Sequence, residues 1–252
     1  MLAITHVPSP AMSECLLTFV ARSAIDHKRA SRQHTDYCRV LRDCGLEVRT
    51  LDVNRELPDC AFVEDLAVVL DDVAVVTRPG AAVRRIEIAA IESVLRGHRP
   101  IERILEPATL EGGDVLRVGR TLLVGFSSRT NAAGIGVIEG VVRRFGYEVR
   151  PVPVRGCLHL KTACTSLPDG RLVVNREWVD VGALHGFDLI DIPADEPWGA
   201  NVTCLGDTVL VAAAHQVTAD LIAGLGFKVR TVELDEFAKA EGGVTCLSLV
   251  VA

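Results

Sequence analysis

The chain reads as an α/β fold made of about five copies of one unit: two strands, a helix and a strand. Three observations carry this: a phrase that stops a helix with glycine and continues as a strand, an apolar hairpin after each such strand, and a helix-compatible stretch after each hairpin. The phrase occurs as Gly45-Leu-Glu-Val-Arg-Thr-Leu, Gly146-Tyr-Glu-Val-Arg-Pro-Val, Gly186-Phe-Asp-Leu-Ile-Asp-Ile and Gly226-Phe-Lys-Val-Arg-Thr-Val, with a looser copy from Gly97 to Leu105. Glycine is the usual residue just past a helix end, where a left-handed backbone is needed.

The hairpins run from Leu66 to Val76 across Asp71-Asp72, Val115 to Val124 across Val118-Gly119-Arg120, Leu167 to Val174 across Pro168-Asp169-Gly170, and Val202 to Val211 across Gly206-Asp207. Apolar runs broken by Gly or Asp are hairpin signals. Helices are expected over Ser23–Cys44, Arg84–Arg96, Asn131–Phe145, Arg176–His185 and Gln216–Leu225. The C-terminal run opened by Cys246 is expected to join the N-terminal segment and complete the fifth unit. Repeated units stack or close so that each buries its apolar face on a neighbour. Five units in 252 residues suggest closure around an axis; an ordinary open α/β sheet with recurring turn chemistry is the alternative. No linker rich in Pro, Gly or Ser divides the chain, so residues 1–252 are expected to form one domain.

A chain of this length buries roughly 70–75% of its unfolded surface, enough for a real core. No apolar run approaches the ~18 residues of a membrane helix. The start, Met1-Leu-Ala-Ile-Thr-His-Val-Pro, has neither a basic nor an apolar signal region, so a cytoplasmic location is expected. Eight cysteines (Cys15, Cys38, Cys44, Cys60, Cys157, Cys164, Cys204 and Cys246) contain no CxxC pair, which makes reduced thiols the default. Cys157, His159 and Cys164 could be drawn as zinc ligands, but their spacing fits no standard structural zinc pattern. A net charge of -6 with two Trp and two Tyr argues against a nucleic-acid partner. The expected ligand is a small molecule.

Polar residues recur at one place in each unit, between the strand after glycine and the next hairpin. They are Asp59 with Glu64-Asp65, Glu111-Gly112-Gly113-Asp114, His159 with Lys161-Thr162, Asn201, and Cys246 behind Gly242-Gly243. Closure would bring them to one central site. A thiol, an imidazole and several carboxylates are the parts of a thiolate nucleophile with an acid/base partner and a group that orients it. Taken singly, Cys246 reads as a buried core thiol and His159 as a satisfied core histidine. Glu64-Asp65 lies between Phe62-Val63 and Leu66-Ala67-Val68-Val69, where free carboxylates are costly unless they meet a cation. A planar guanidinium matches a carboxylate with two parallel hydrogen bonds. Gly134-Ile-Gly136 with Gly140 does not make a dinucleotide loop, since the third glycine is misplaced and no acid follows at the right distance.

With these residues in view, the sequence resembles the dimethylarginine dimethylaminohydrolases of the guanidino-group-modifying (pentein) superfamily. The blocks that carry the resemblance are Phe62-Val63-Glu64-Asp65, Arg78-Pro79-Gly80 followed by Arg84-Arg85, Glu111-Gly112-Gly113-Asp114, Ser128-Arg129-Thr130-Asn131, Leu158-His159-Leu160-Lys161-Thr162 and Gly242-Gly243-Val244-Thr245-Cys246, in the family's order along essentially the whole chain. The resemblance implies a pentein-type propeller of five ββαβ units around a pseudo-fivefold axis. It implies hydrolysis of Nω-methylated arginine to citrulline and an alkylamine, with no metal or cofactor. Carried across by block, Cys246 would be the nucleophile, His159 the acid/base and Glu111 its orienting partner. Glu64 and Asp65 would hold the guanidinium, and Asp59, Arg84 and Arg129 the amino-acid end. Arg84 is chosen over Arg85 for its spacing from Asp65. Backbone at Leu17, in a lid-like stretch, and at Ala240 would also touch substrate, although Ser13-Glu-Cys-Leu-Leu-Thr departs from the family pattern there. A homodimer is the expected assembly, though no residue fixes it. Free arginine or agmatine as substrate, a non-catalytic propeller that binds a partner, and a metal-dependent guanidine hydrolase are the competing readings.

Overall fold

The computed structural model describes residues 1–251. Leu2–His6 (β1) leads through the helix His27–Asp43 (α1) to Glu47–Leu51 (β2). The first unit continuous in the chain contains Ala67–Val69 (β3), Ala74–Val76 (β4), Ile88–Leu95 (α2) and Ile101–Arg103 (β5). Val115–Val118 (β6), Thr121–Phe126 (β7), Ala132–Val142 (α3) and Glu148–Pro153 (β8) follow. The third unit opens with the single turn Leu160–Ala163 (α4) and continues as Cys164–Ser166 (β9), Leu172–Val174 (β10) and Leu189–Asp191 (β11). Val202–Leu205 (β12), Thr208–Ala212 (β13), Gln216–Gly224 (α5) and Lys228–Val232 (β14) make the fourth, and Asp235–Ala238 (α6) leads to Leu249–Val251 (β15).

Five sheets of three strands share one pattern, in which the middle strand is antiparallel to its hairpin partner and parallel to the strand that follows. β4 lies between β3 and β5, β7 between β6 and β8, β10 between β9 and β11, and β13 between β12 and β14. β1 lies between β15 and β2, so the two ends of the chain share a sheet, with Leu2 opposite Val251 and Ile4 opposite Leu249. Local signals set the boundaries. The Asp26 carboxylate accepts the Lys28 and Arg29 N–H groups to start α1, and the Asn131 side chain accepts the Gly134 N–H to start α3. Gly45, Gly146, Gly186 and Gly226 end the helical stretches at φ of 85, 77, 87 and 94°.

The third unit departs from the sequence reading. Where a helix over Arg176–His185 is expected, only the 3-10 turn Val181–Leu184 forms, begun by the Asp180 carboxylate accepting the Gly182 N–H. Val179, Val181 and Gly182 lower helix propensity, and Val179 is drawn instead into a β-bridge with Val154. Cys246 lies in a turn three residues ahead of β15 rather than at its first residue.

Packing closes the ring. Val68, Val73 and Val75 meet Leu122, Val124, Ile135 and Ile138 of the following unit. Leu116, Leu123 and Val152 meet Leu160, Leu172 and Val174, and Leu167 and Val173 meet Val202, Val209, Val211 and Ile222. Leu205, Leu210 and Val232 pack on Ala3, Tyr37 and Leu41, while Leu2, Ile4, Leu249 and Val251 pack on Val63, Leu66, Ile91 and Leu95. Every hydrophobic cluster thus spans two neighbouring units, so each unit is stabilised chiefly by its neighbours. At about 1.5–3 kcal/mol for each fully buried aliphatic side chain, opening the ring at any one joint is expensive. The result is a five-bladed α/β propeller.

The blades also join through one turn apiece, just ahead of the inner strand. Glu64 N–H donates to the Cys246 carbonyl at 3.2 Å, Gly113 N–H to Asp65 at 3.1 Å, and Leu160 N–H to Asp114 at 2.9 Å. The Asn201 amide donates to the Lys161 carbonyl at 2.8 Å and accepts the Thr245 N–H at 3.2 Å. These bonds run through all five units and return to the start. They hold the five polar positions around the axis. No helix among the described residues is long and apolar enough to cross a membrane.

Candidate active site

Cys246, His159, Glu111, Asp65, Asp59, Arg84, Arg129 and Ala240 line one small cavity of about 20 Å³ on the axis. The loop carrying Cys246 is fixed from several sides. Tyr37 of α1 is fully buried and its hydroxyl donates to the Val244 carbonyl at 2.9 Å, with Ser248 at 2.8 Å. Gly242 abuts Phe62, where an added Cβ would stand 2.4 Å from the ring, and Phe62 packs edge-on against Phe237. The Cys246 sulfur accepts the Gly243 N–H at 3.3 Å. Burial, then the Glu64 and Asp65 carboxylates, push its thiol up to about 12, against the pull of that N–H and of Thr245.

His159 precedes α4 and sits across the cavity. Its Nε2 lies 2.7 Å from Glu111 and 3.8 Å from Asp65. An added Cβ on Gly113 would come within 2.7 Å of Nδ1, so glycine is what admits the ring. Burial alone would lower the proton affinity of the imidazole, but Asp65, the Glu111 hydrogen bond and Asp114 reverse this and raise its pKa to about 9. Glu111 is fully buried; despite burial, His159, Arg84 and Arg129 hold its carboxyl well below the usual range. At neutral pH the free site therefore pairs a neutral thiol with a charged imidazolium. No hydrogen bond joins the two among the described residues.

The two arginines differ in freedom. Arg84 is buried, and its donors go to Asp65 at 2.5 Å, to both oxygens of Glu87 at 3.3 and 2.9 Å, and to the Phe62 and Asp59 carbonyls. It borders the cavity as expected, with its fork already bonded within the protein. Arg85 turns away, its Nε on the Pro79 carbonyl. Arg129 keeps only a 3.6 Å contact with Glu111 and a 3.4 Å bond to Thr18, and its guanidinium faces the cavity. Asp59 receives the Leu16 N–H at 3.3 and 3.4 Å, and burial raises its carboxyl above the usual range despite Arg84.

Two further residues named from the resemblance lie off this cavity wall. Leu16 rather than Leu17 lines the cavity; Leu17 packs into the apolar cluster around Phe62 and Phe237. Glu64 faces away from the cavity, into a channel of about 420 Å³ lined by the inner strands. Its oxygens are taken by Lys161 at 2.5 Å and Thr245 at 2.6 Å. Lys161 thus supplies it with an internal cation.

The structure adds groups that the sequence reading passed over. A second cavity of about 330 Å³, walled by Trp198, Ala212, Leu234, Ala238 and His215, reaches the other side of Cys246. No local pattern marks it, because its walls come from separate turns of two blades. Glu241 borders both cavities and stands beside the Gly242-Gly243 pair, which was the available signal. Cys157 and Cys164 are core residues and form no ligand set with His159. Among the described residues the group with metal-ligand spacing is Asp65, Glu111 and His159, whose ligand atoms lie within 4.8 Å of one another. An ion there would compete with the His159–Glu111 and Asp65–Arg84 bonds.

Comparison with known proteins identifies the family. The family model for eukaryotic N,N dimethylarginine dimethylhydrolase matches residues 18–167. The N(G),N(G)-dimethylarginine dimethylaminohydrolase of Streptomyces coelicolor is 42% identical over 98% of this chain and 95% of its own length. A cysteine-to-serine variant of the Pseudomonas aeruginosa enzyme, complexed with citrulline, superposes with a TM-score of 0.91 at 32% identity over 98% of each chain. A histidine-to-glycine dimethylarginine dimethylaminohydrolase bearing an S-methyl-L-thiocitrulline adduct gives a TM-score of 0.93 at 32% identity over 98% of each chain. This chain belongs to the dimethylarginine dimethylaminohydrolase family.

Proposed function

We propose that this chain hydrolyses Nω-methylated L-arginine, as asymmetric dimethylarginine or monomethylarginine, to L-citrulline and the corresponding amine. The observation that carries it is the meeting of Cys246, the His159–Glu111 pair and Asp65 in one small cavity. Such a set suits a planar cation flanked by a thiol and an acid. The citrulline held by the Pseudomonas aeruginosa relative supports the product.

The proposed steps follow from the charges. A guanidinium carbon is poorly electrophilic, so Asp65 fixes the cation in plane while Arg129 takes the substrate carboxylate and Asp59 faces its ammonium. The bound positive charge offsets the carboxylates that raise the Cys246 thiol, and the thiol proton leaves to solvent. The thiolate attacks the central carbon, and the His159 imidazolium protonates the departing amine as the C–N bond breaks. The amidino-thioether remains on Cys246. Now neutral, His159 takes a proton from water, whose oxygen adds to the same carbon; collapse expels the thiolate and leaves citrulline. Glu111 keeps the imidazole in place and stabilises its charged form.

The apolar cavity beyond Cys246 favours a methylated amine over ammonia as the leaving group. Closure of the ring by β1 and β15 supports one catalytic domain over residues 1–252, and eight unpaired thiols support action in the reducing cytoplasm. Incubation with asymmetric dimethylarginine, arginine and agmatine tests the substrate. The expected result is highest kcat/KM for release of dimethylamine and citrulline from the first. Faster ammonia release from arginine would replace the substrate, and agmatine as the best of the three would remove the part given to Arg129.

A further inference from the structure

Glu241 lies five residues ahead of Cys246 and borders both cavities that meet the thiol. It is the one non-glycine residue with positive φ among those described, at 60°, a conformation that side chains with a Cβ seldom take. That backbone turns the carboxylate inward against the loop over the site. Oε1 accepts three consecutive backbone N–H groups, from Thr18 at 2.9 Å, from Phe19, and from Val20 at 2.7 Å. Oε2 is buried and has no hydrogen-bond partner among the described residues. Buried carboxylate oxygens are rarely left so, because the lost hydration must be replaced by a donor.

The surroundings indicate which donor is missing. Lys239, two residues away, is taken by Glu236 at 2.8 Å. On the shared cavity wall stand Asp59, held only by long bonds from Leu16, and Arg129, held only weakly by Glu111 and Thr18. Two acids and one weakly held guanidinium lining the same cavity complement a group carrying one cation and one anion. An α-amino acid carries both, and its ammonium has three donors to share.

We propose that Glu241 Oε2 receives the α-ammonium of the substrate while Oε1 clasps the backbone of residues 18–20, so that recognition of a free amino acid and closure of that loop are coupled through one carboxylate. This deepens the proposed reaction and rests on it for the identity of the ligand. It predicts that the site discriminates a free amino acid from a guanidine lacking the α-amino group, by a residue that also holds the loop shut.

Glu241→Gln separates the two tasks, since it keeps an acceptor oxygen for the loop and removes the charge. Its kcat/KM should be compared with wild type on monomethylarginine and on the analogue in which hydrogen replaces the α-amino group. The expected loss is at least about tenfold on the amino acid, mainly in KM, and less than about twofold on the analogue. Glu241→Ala, which also releases the loop, should depress both. Equal losses on both substrates in Glu241→Gln would overturn the proposal, as would no loss; equal losses would make Glu241 a latch only, or the receiver of the departing amine. Calorimetric binding of L-citrulline against its des-amino analogue repeats the comparison without turnover. Failure of the reaction itself would show as wild type inert toward both arginines, whereas wild type binding both citrullines equally would sink the ammonium site alone.

Discussion

Glu64 and Asp65 are neighbours on one 3-10 turn and equally buried, at 7% and 6% exposure, yet they serve opposite sides of the ring. Glu64 faces the channel and is matched one to one by Lys161, with Thr245 on its other oxygen. Asp65 faces the cavity and shares the Arg84 guanidinium with Glu87, while its other oxygen takes the Gly113 N–H. The contrast shows what frees a buried carboxylate for a ligand: an internal cation divided between two acids leaves surplus negative charge, whereas an exclusive pair leaves none. Asp65 is the foremost of the charges that raise His159; at the Cys246 thiol it adds to burial and to Glu64, and a bound guanidinium would relieve it.

The sharpest expected difference between the two sides lies in turnover. On the cavity side, His159→Ala should lower kcat by roughly 10²–10⁴, and Asp65→Asn should cost roughly 10²–10³ in kcat/KM. Glu64→Gln should leave kcat of the folded protein within about tenfold of wild type. Steady-state kinetics on the three variants, corrected for folded fraction, decides the matter; a Glu64→Gln loss as large as that of Asp65→Asn would erase the distinction.

Stability should show the reverse ranking. Removing one member of a buried pair leaves the other charge uncompensated, at about 3–5 kcal/mol. Urea unfolding of Glu64→Gln should register a loss of that order, and Glu64→Leu combined with Lys161→Met should return most of it. A double variant no more stable than the single one would mean that the pair does not act as a unit.

A smaller effect separates the two arginines. Arg129→Ala should remove most of a preference for arginine over agmatine worth at least about tenfold, since one charge-assisted bond contributes about 1.5–3 kcal/mol. Arg84→Ala, which strands Glu87 and Asp65, should act mainly on unfolding. If Arg84→Ala changed the agmatine ratio more than Arg129→Ala, the carboxylate would belong to Arg84 after all.

A further expected effect is on the pH dependence of stability. Folded His159 holds its proton up to about 9, whereas the unfolded imidazole releases it near 6.5. Its contribution is thus fully present below 6.5 and is lost as pH rises through about 9. Unfolding midpoints should decline across that window in wild type and less so in His159→Gln; identical slopes would contradict the raised imidazole.

Much of this was legible in the residues because it depends on local chemistry. Glycine stops, Asp and Gly turns and apolar runs located 14 of the strands from neighbouring residues alone, and the recurrence of polar blocks at one position in each unit anticipated where they would meet. The helix over Arg176–His185 was misread because the repeat pattern outweighed Val179, Val181 and Gly182. The direction of Glu64 was not readable, since its partner Lys161 is 97 residues away and nothing in an acidic pair says which member turns inward. For the same reason Arg84 looked available: Glu87 stands in plain view three residues on, but its capture of both ends of the guanidinium is a packing result. The cavity beside Trp198 is likewise assembled by tertiary packing of separate turns.

The central claim is that the surplus charge on the Asp65 side is used to form a covalent bond to Cys246, and acid-quenched turnover followed by peptide mass analysis tests it most directly. Asymmetric dimethylarginine should leave a mass increment equal to the substrate less dimethylamine on the peptide bearing Cys246, at higher occupancy in His159→Gly, and Cys246→Ser should be inactive by roughly 10⁴ or more. An increment on any of the other seven cysteines, or an active Cys246→Ser, would contradict the account.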